Sequence, residues 1–290
     1  MNCKSKIVDF FIFVGALFFF WFYYKDYFCS VFSNFLVVII GSIAVFLVNF
    51  IKFFRIYIIL YGKELNGMDI CFLYARTAVV NSIIPYKLGE LYKIFVLGKK
   101  IGNFQEGTII VILDRLMDTL GLLMVMIFSI LLTNSKFKLY PVVPILIIFV
   151  FCMIIIYRVF PGISGFWKKY LLRNRSSKRK LWGLEVINRL QHIYMSLTKI
   201  VEGRGIILFI VSVFAWLIEI SLISITNKIS VEQVEFANVS AYLNSILCGN
   251  ILLESARYTI LSVTLLSFVC AICLFLRNRR RGKNASISYL

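Results

Sequence analysis

Charge is scarce in this 290-residue chain and acid is scarcer still, with 16% of residues charged and 14 Asp and Glu set against 32 Lys and Arg. A soluble domain carries about 25% charged residues, and 60% apolar and 16% aromatic residues with a mean hydropathy of +0.88 exclude one here. Histidine occurs once, as His192 in a charged stretch where it reads as solvated. No G-x-S-x-G, P-loop or H-E-x-x-H is present, which sets aside those chemistries and metal catalysis, so no cofactor and no metal is expected. Seven cysteines are odd in number and lie mostly in apolar runs, unlike a secreted disulfide framework. The one CxxC, Cys270 to Cys273, reads as packed thiols on a helix face.

What is abundant is base, at a net charge of +18, and most of it is concentrated. Residues 158–204 carry +9 and the tail from Arg277 on carries +5, both beside long apolar runs. Such placement is the topology signal of cytoplasmic loops, so no nucleic-acid partner is expected. A helix needs about 20 apolar residues to cross roughly 30 Å of hydrocarbon. Six segments qualify: 7–24, 33–51, 107–132, 141–159, 205–226 and 257–276. The aromatic bulk from Phe18 to Tyr24 stands where a signal peptide would need small residues, so the first segment is kept as a span. With the N-terminus inside, the internal connections total +21 and the external ones +1. The positive-inside rule then predicts a multi-pass membrane protein, N-in and C-in, and the expected location is the bacterial cytoplasmic (inner) membrane. Within the basic loop 158–204, the residues after Lys180 read as an amphipathic helix on the inner leaflet.

Two segments fit no full span. Residues 71–98 alternate apolar turns with Arg76, Asn81, Lys87, Glu90 and Lys93 and are broken by Pro85 and Gly89, while 237–254 is interrupted by Asn244, Gly249 and Asn250. Both are expected to be re-entrant or half-membrane helices, since unwound backbone at membrane depth needs protein or a wet cavity to satisfy it. The fold class is therefore an all-α polytopic membrane protein with six full spans and two broken segments, or eight spans if both cross. The order predicts an inverted repeat, with 1–132 and 133–290 as its halves within one membrane domain.

Ionisable groups inside spans cost about 2.5–3.5 kcal/mol each on insertion scales, so they are read as paired or functional. In ILDRLMDTLG, Asp114 and Asp118 are four apart on one helix face, with Arg115 about 100° round. Carboxylates so close would repel unless a cation, a proton or a basic side chain stood between them, and Arg76, Lys87 and Lys93 are the upstream candidates. Two readings compete: an ion-pair network pinning the broken segment to the third span, or a basic cavity for a lipid phosphate at backbone amides freed by Pro85 and Gly89. In the second half, Glu219 lies mid-span and is a candidate for proton coupling, while Glu254 and Arg257, three apart, read as a helix pair.

The run from Ala75 to Leu123 resembles the lysylphosphatidylglycerol synthase transmembrane family of flippase-like integral membrane proteins. The resemblance rests on Asn81, Pro85, Gly89-Glu90, Lys93 and the sequence Asp114-Arg115-x-x-Asp118. It implies the lipid-handling membrane part of those synthases without the cytosolic aminoacyl-transferase domain. Cys248-Gly249-Asn250 before Glu254 departs from the Gly-rich turn usual in the second half of the family. The resulting expectation is a protein that translocates or handles an anionic phospholipid or a polyprenyl-phosphate-linked envelope precursor. In it Arg76, Asn81, Lys87, Lys93 and Arg115 hold the phosphate, Asp114 and Asp118 position the basic groups, and Glu90 and Glu219 respond to protons, with Glu254 a further candidate. The alternatives are a membrane-embedded lipid or lipid-linked sugar transferase with Asp114 or Glu90 as base, and a non-catalytic partner of envelope-glycan assembly proteins.

Overall fold

The computed structural model describes residues 3–32, 35–63, 65–84, 89–133, 142–173, 178–229 and 253–287, and the described residues form eight α-helices and no strand. They are α1 (Cys3–Phe32), α2 (Phe35–Leu60), α3 (Gly67–Ile83), α4 (Gly89–Ile101), α5 (Phe104–Thr133), α6 (Val142–Arg173), α7 (Lys178–Ile229) and α8 (Leu253–Ile287). The protein is an all-α polytopic membrane protein. Among the described residues, four stretches are long and apolar enough to cross a bilayer: Phe35–Leu60, Ile147–Arg173, Lys180–Ser221 and Ala256–Leu276. They contain or overlap four of the six expected spans. The other two, 7–24 and 107–132, fall within α1 and α5, each 30 residues and so about 45 Å long.

Two expected boundaries are corrected. The second span does not stop at 51, because α2 runs on through Lys52 and Arg55 to Leu60. The basic stretch 158–204, expected as a loop with an amphipathic helix after Lys180, is helical on both sides of 174–177. Helix α6 continues to Arg173, and α7 starts at Lys178 and runs 52 residues, about 78 Å, without interruption. His192 is exposed on that helix rather than in a loop. Hydropathy ends a helix at its first charges, whereas a charged side chain with a buried partner lets the helix continue.

Residues 71–98 form the expected broken element. Helix α3 ends at Ile84, which is extended (φ −79°, ψ 120°), the conformation imposed on a residue that precedes a proline. The chain resumes as α4 at Gly89, and the two arms pack against each other. A Cβ on Gly89 would lie 2.4 Å from Asn81 Cα, so only glycine allows the arms to approach this closely. The arms span about 25 and 20 Å, each too short for a 30 Å crossing. The partner segment 237–254 lies outside the described residues apart from the start of α8.

Helix α2 packs on α7, α7 on α5, α5 on α4 and α3 on α8, so the hairpin is enclosed by the longer helices. The buried core joins Ile56 and Leu60 of α2, Val79 and Val80 of α3, Leu97 of α4, Leu113 of α5, Leu208 of α7 and Ile260 of α8. One end of the bundle is tied by polar contacts. Arg204 donates to the carbonyls of Ile58 (3.0 Å) and Tyr61 (2.9 Å), at and just past the C-terminus of α2. Lys100 pairs with Asp69 (3.1 Å) across the open end of the hairpin, and Lys63 pairs with Glu106. On the far side of α3, Cys273 Sγ of α8 lies 3.7 Å from Cys71 Sγ.

Candidate functional site

Counting from that tied end, Asp114 and Asp118 stand eight and twelve residues beyond Glu106, about 12 and 18 Å along α5. The tip of the hairpin, 14 residues beyond Asp69, reaches about 21 Å. The ionised groups therefore sit at the blind end of the hairpin, deep in the bundle.

Asp114 is buried between two cations. Arg55 Nε donates to its Oδ1 at 2.7 Å and Lys93 Nζ to its Oδ2 at 2.6 Å. Arg55 Nη1 also donates to Asp118 Oδ1 at 2.8 Å and to Ser212 Oγ at 2.9 Å. One guanidinium thus bridges both carboxylates, with its planar fork matched to them. Lys52, one turn earlier on α2, reaches Glu219 of α7 at 2.9 Å and lies over the rings of Trp216 and Tyr258. Glu219 is paired across the bundle, as a carboxylate at that depth requires.

Arg115 is held differently. Its Nε lies 2.8 Å from Glu90 Oε1 and its Nη1 3.7 Å from Asp118 Oδ2, yet neither Nε nor Oε1 makes a hydrogen bond, because the 2.8 Å contact is misaligned. Asn81 Oδ1, which a Cβ on Gly89 would approach to 2.9 Å, is also buried without a hydrogen bond. All three unsatisfied atoms cluster at the break between α3 and α4. Opposite them is a neutral set in which Tyr74 donates to Asn49 Oδ1 (3.1 Å) and Asn49 donates to Ser262 Oγ (3.3 Å).

These groups enclose a polar cavity of about 110 Å³, room for several waters or one compact anionic group. Its wall includes Lys52, Arg55, Lys93, Arg115, Asp114 and Asp118, together with Asn81, Tyr74, Tyr258 and Ser262. With Glu90 and Glu219 just behind, four cations face four carboxylates. Among the described residues no three His, Cys, Asp or Glu gather as a metal site.

Of the residues expected from sequence, Asn81, Lys93, Asp114, Arg115 and Asp118 line this cavity, and Glu90 and Glu219 pair with its cations. Arg76 lies elsewhere, with its guanidinium 5.6 Å from the Tyr92 ring centre in the α3–α4 packing. Lys87 and the side chain of Glu254 lie outside the described residues. Sequence reasoning missed Lys52 and Arg55. The signal was available, because FIKFFRIYIIL places two cations three apart inside an apolar run, and the two aspartates lacked a cation.

The family model for the lysylphosphatidylglycerol synthase transmembrane region matches residues 6–229. The chain belongs to that family. No curated protein and no solved structure matches the chain. The matched region holds α1 to α7 and with them every ionised group of the cavity. The lysylphosphatidylglycerol synthase transmembrane match stops short of α8, which adds Tyr258 and Ser262 to the wall.

Proposed function

We propose that this protein handles lipid in the cytoplasmic membrane of a bacterium and moves the head group of an anionic lipid, a phospholipid or a polyprenyl-phosphate-linked envelope precursor, through the polar cavity. The observation that carries the reading is the misaligned Arg115–Glu90 contact beside Asn81 at the hairpin break, inside a cavity otherwise built of satisfied pairs. A half-buried guanidinium whose Nε donor is left over is what a phosphate oxygen would take up. Arg55 and Lys93 are committed to Asp114, so in this reading they hold the frame while Arg115 and, beyond it, Lys52 meet the guest.

The positive-inside charge distribution supports placing the tied, basic end of the bundle in the cytoplasm. The hairpin would then enter from that side and bring its tip to mid-membrane, where broken helices of transporters place their sites. A transferase that uses Asp114 or Glu90 as base is the weaker reading. Each of the cavity's four carboxylates faces a cation, leaving none poised to take a proton.

The test is lipid movement in sealed proteoliposomes that carry a fluorescent anionic phospholipid, with Arg115→Gln beside the wild type. Movement by wild type and at least a tenfold loss in the variant supports the proposal. Equal rates in wild type, variant and protein-free vesicles, across anionic phospholipids and polyprenyl phosphates, removes it.

A further inference from the structure

Among the described residues, the cations and carboxylates of the polar cavity match four to four, so the empty cavity is neutral. A lipid phosphate adds a negative charge, and an uncompensated charge held away from water is expensive. A positive charge must therefore enter with it. The unmade hydrogen bonds at the hairpin break indicate which one. Three atoms there are buried without a hydrogen bond: one donor, Arg115 Nε, and two acceptors, Glu90 Oε1 and Asn81 Oδ1. A phosphate oxygen would satisfy the donor and leave both acceptors wanting one. A carboxylic acid donates a single hydrogen bond, so one proton on Glu90 supplies what Asn81 lacks. An anion together with a proton completes this set, and an anion alone does not.

The other carboxylates are worse placed to take that proton. Asp114 accepts from Arg55 and Lys93 at 2.7 and 2.6 Å, Asp118 from Arg55 at 2.8 Å and Glu219 from Lys52 at 2.9 Å, so each would weaken an aligned bond to a cation. Glu90 has no such bond to lose, because its contact with Arg115 is misaligned. Its helix packs against α3 and α5. From α5, Arg115 faces Glu90, and Asp118 lies 3.7 Å behind that guanidinium. From α3, the neutral Asn81 stands against Gly89, the residue before Glu90, while Arg76 lies over Tyr92. On α4 itself, Lys93 is held by Asp114. Once a phosphate takes Arg115, none of these cations remains for Glu90, and the charge of the guest stands beside it. The side chains of Glu90 and Arg115 are 18% and 29% exposed, so water can deliver and remove a proton here.

We propose that each lipid phosphate bound at Arg115 is accompanied by one proton on Glu90, donated to Asn81 Oδ1, so that guest and proton enter and leave the cavity together. The proposal rests on the head-group reading given above and adds what balances its charge. The proton comes from water, the carboxylate becomes a carboxylic acid, and Arg115 exchanges Glu90 for a phosphate oxygen with no net change of charge. The test uses the full chain in detergent and phosphatidylglycerol, a phosphodiester whose single charge is constant near neutral pH. Rapid mixing in weak buffer with an indicator dye should report about one proton taken up per lipid bound, a wild-type reading that does not depend on any variant folding. The dissociation constant should rise about tenfold per pH unit wherever the empty site is ionised and the loaded one protonated. Glu90→Gln, a neutral stand-in for the acid, should bind with an affinity that does not follow pH, and Glu219→Gln should keep the wild-type slope. Binding without proton uptake, one slope for wild type and Glu90→Gln, a slope lost in Glu219→Gln, or a dissociation constant that follows sodium instead of pH would each overturn the proposal and leave the head-group reading in place. No binding of phosphatidylglycerol or of a polyprenyl phosphate at any pH would remove both.

Discussion

Replacing Arg55 by Met should destabilise this protein strongly, whereas replacing Arg115 by Gln should not, and the contrast separates the frame of the site from its working part. The Arg55 side chain is 4% exposed and bridges Asp114, itself 2% exposed, and Asp118. Methionine keeps most of the volume but leaves Asp114 with Lys93 alone and Asp118 with a 3.7 Å contact to Arg115. Removing one partner of a buried ion pair costs about 3–5 kcal/mol, a factor of roughly 10² to 10³·⁵ in the folding equilibrium at 1.4 kcal/mol per tenfold. Taking 2–4 °C per kcal/mol for a chain of this size gives a fall of roughly 6–20 °C in the melting temperature. Arg115 is 29% exposed and its contact to Glu90 is misaligned, so its loss should cost no more than about 1 kcal/mol. The assay is thermal unfolding of the detergent-purified protein followed by intrinsic fluorescence, with membrane yield as a second measure. An Arg55→Met protein that melts with the wild type, or an Arg115→Gln protein that melts as low as Arg55→Met, would refute the division of roles.

Three further outcomes follow from the same geometry. Lys52→Glu and Glu219→Lys should each lower the melting temperature, because each faces a buried partner with a like charge, and the double exchange should recover at least half of the loss; no recovery would mean that the 2.9 Å pair is not what orders α2 against α7. Gly89→Ala brings a methyl to within 2.4 Å of the Asn81 backbone, so the hairpin must splay, at about 1–3 kcal/mol and with loss of transport, whereas Gly162→Ala, with open space around it, should behave as wild type. Copper-phenanthroline oxidation of membranes should cross-link Cys71 to Cys273, detectable by peptide mass, while Cys29 and Cys152, both exposed, should not join either of them; absence of the Cys71–Cys273 product would count against the packing of α3 on α8.

What could be read from the sequence, and what could not, follows from the range of the interactions. Runs of apolar residues report burial in lipid locally, so the spans around Val45, Ile154, Ala215 and Leu266 are legible from composition alone. The break after Ile84 is equally local, because a proline constrains the residue before it. The need of Asp114 and Asp118 for a cation is legible too, as a statement about two neighbouring carboxylates. The identity of that cation is not, since Arg55 is 59 residues away and is chosen by how α2 lies against α5. Lys93 is among the candidates because it follows in the same hairpin. Arg76 shares the hairpin but projects toward Tyr92, a difference set by helix rotation, which hydropathy does not encode. The same limit misplaces the end of α2 and stops the fourth span at 159, where α6 runs on to Arg173. A charge counts as a span boundary only when nothing buried stands opposite it, and that opposite residue is set by the tertiary fold.

The balance of four cations and four carboxylates also constrains how any anion could use the cavity. In a medium of low dielectric an uncompensated charge is expensive, so a cavity lined by cations alone would not persist between guests. This one persists because each cation already has a carboxylate, and a phosphate can be admitted only by taking the place of one of them. The least costly contact to give up is the one with the poorest geometry and the nearest water. Lys93–Asp114 and Arg55–Asp114 are short and enclosed, with side chains no more than 7% exposed. Arg115–Glu90 is misaligned, partly exposed and located at the hairpin break, so exchange of Glu90 for a phosphate there disturbs the fewest satisfied bonds. Glu90→Gln should therefore tighten binding of an anionic lipid while slowing its release, whereas Asp114→Asn should unfold the site, because it strands Arg55 and Lys93 together. If Glu90→Gln instead bound lipid as the wild type does, the exchange would have to occur at Lys52 and Glu219, on the opposite wall.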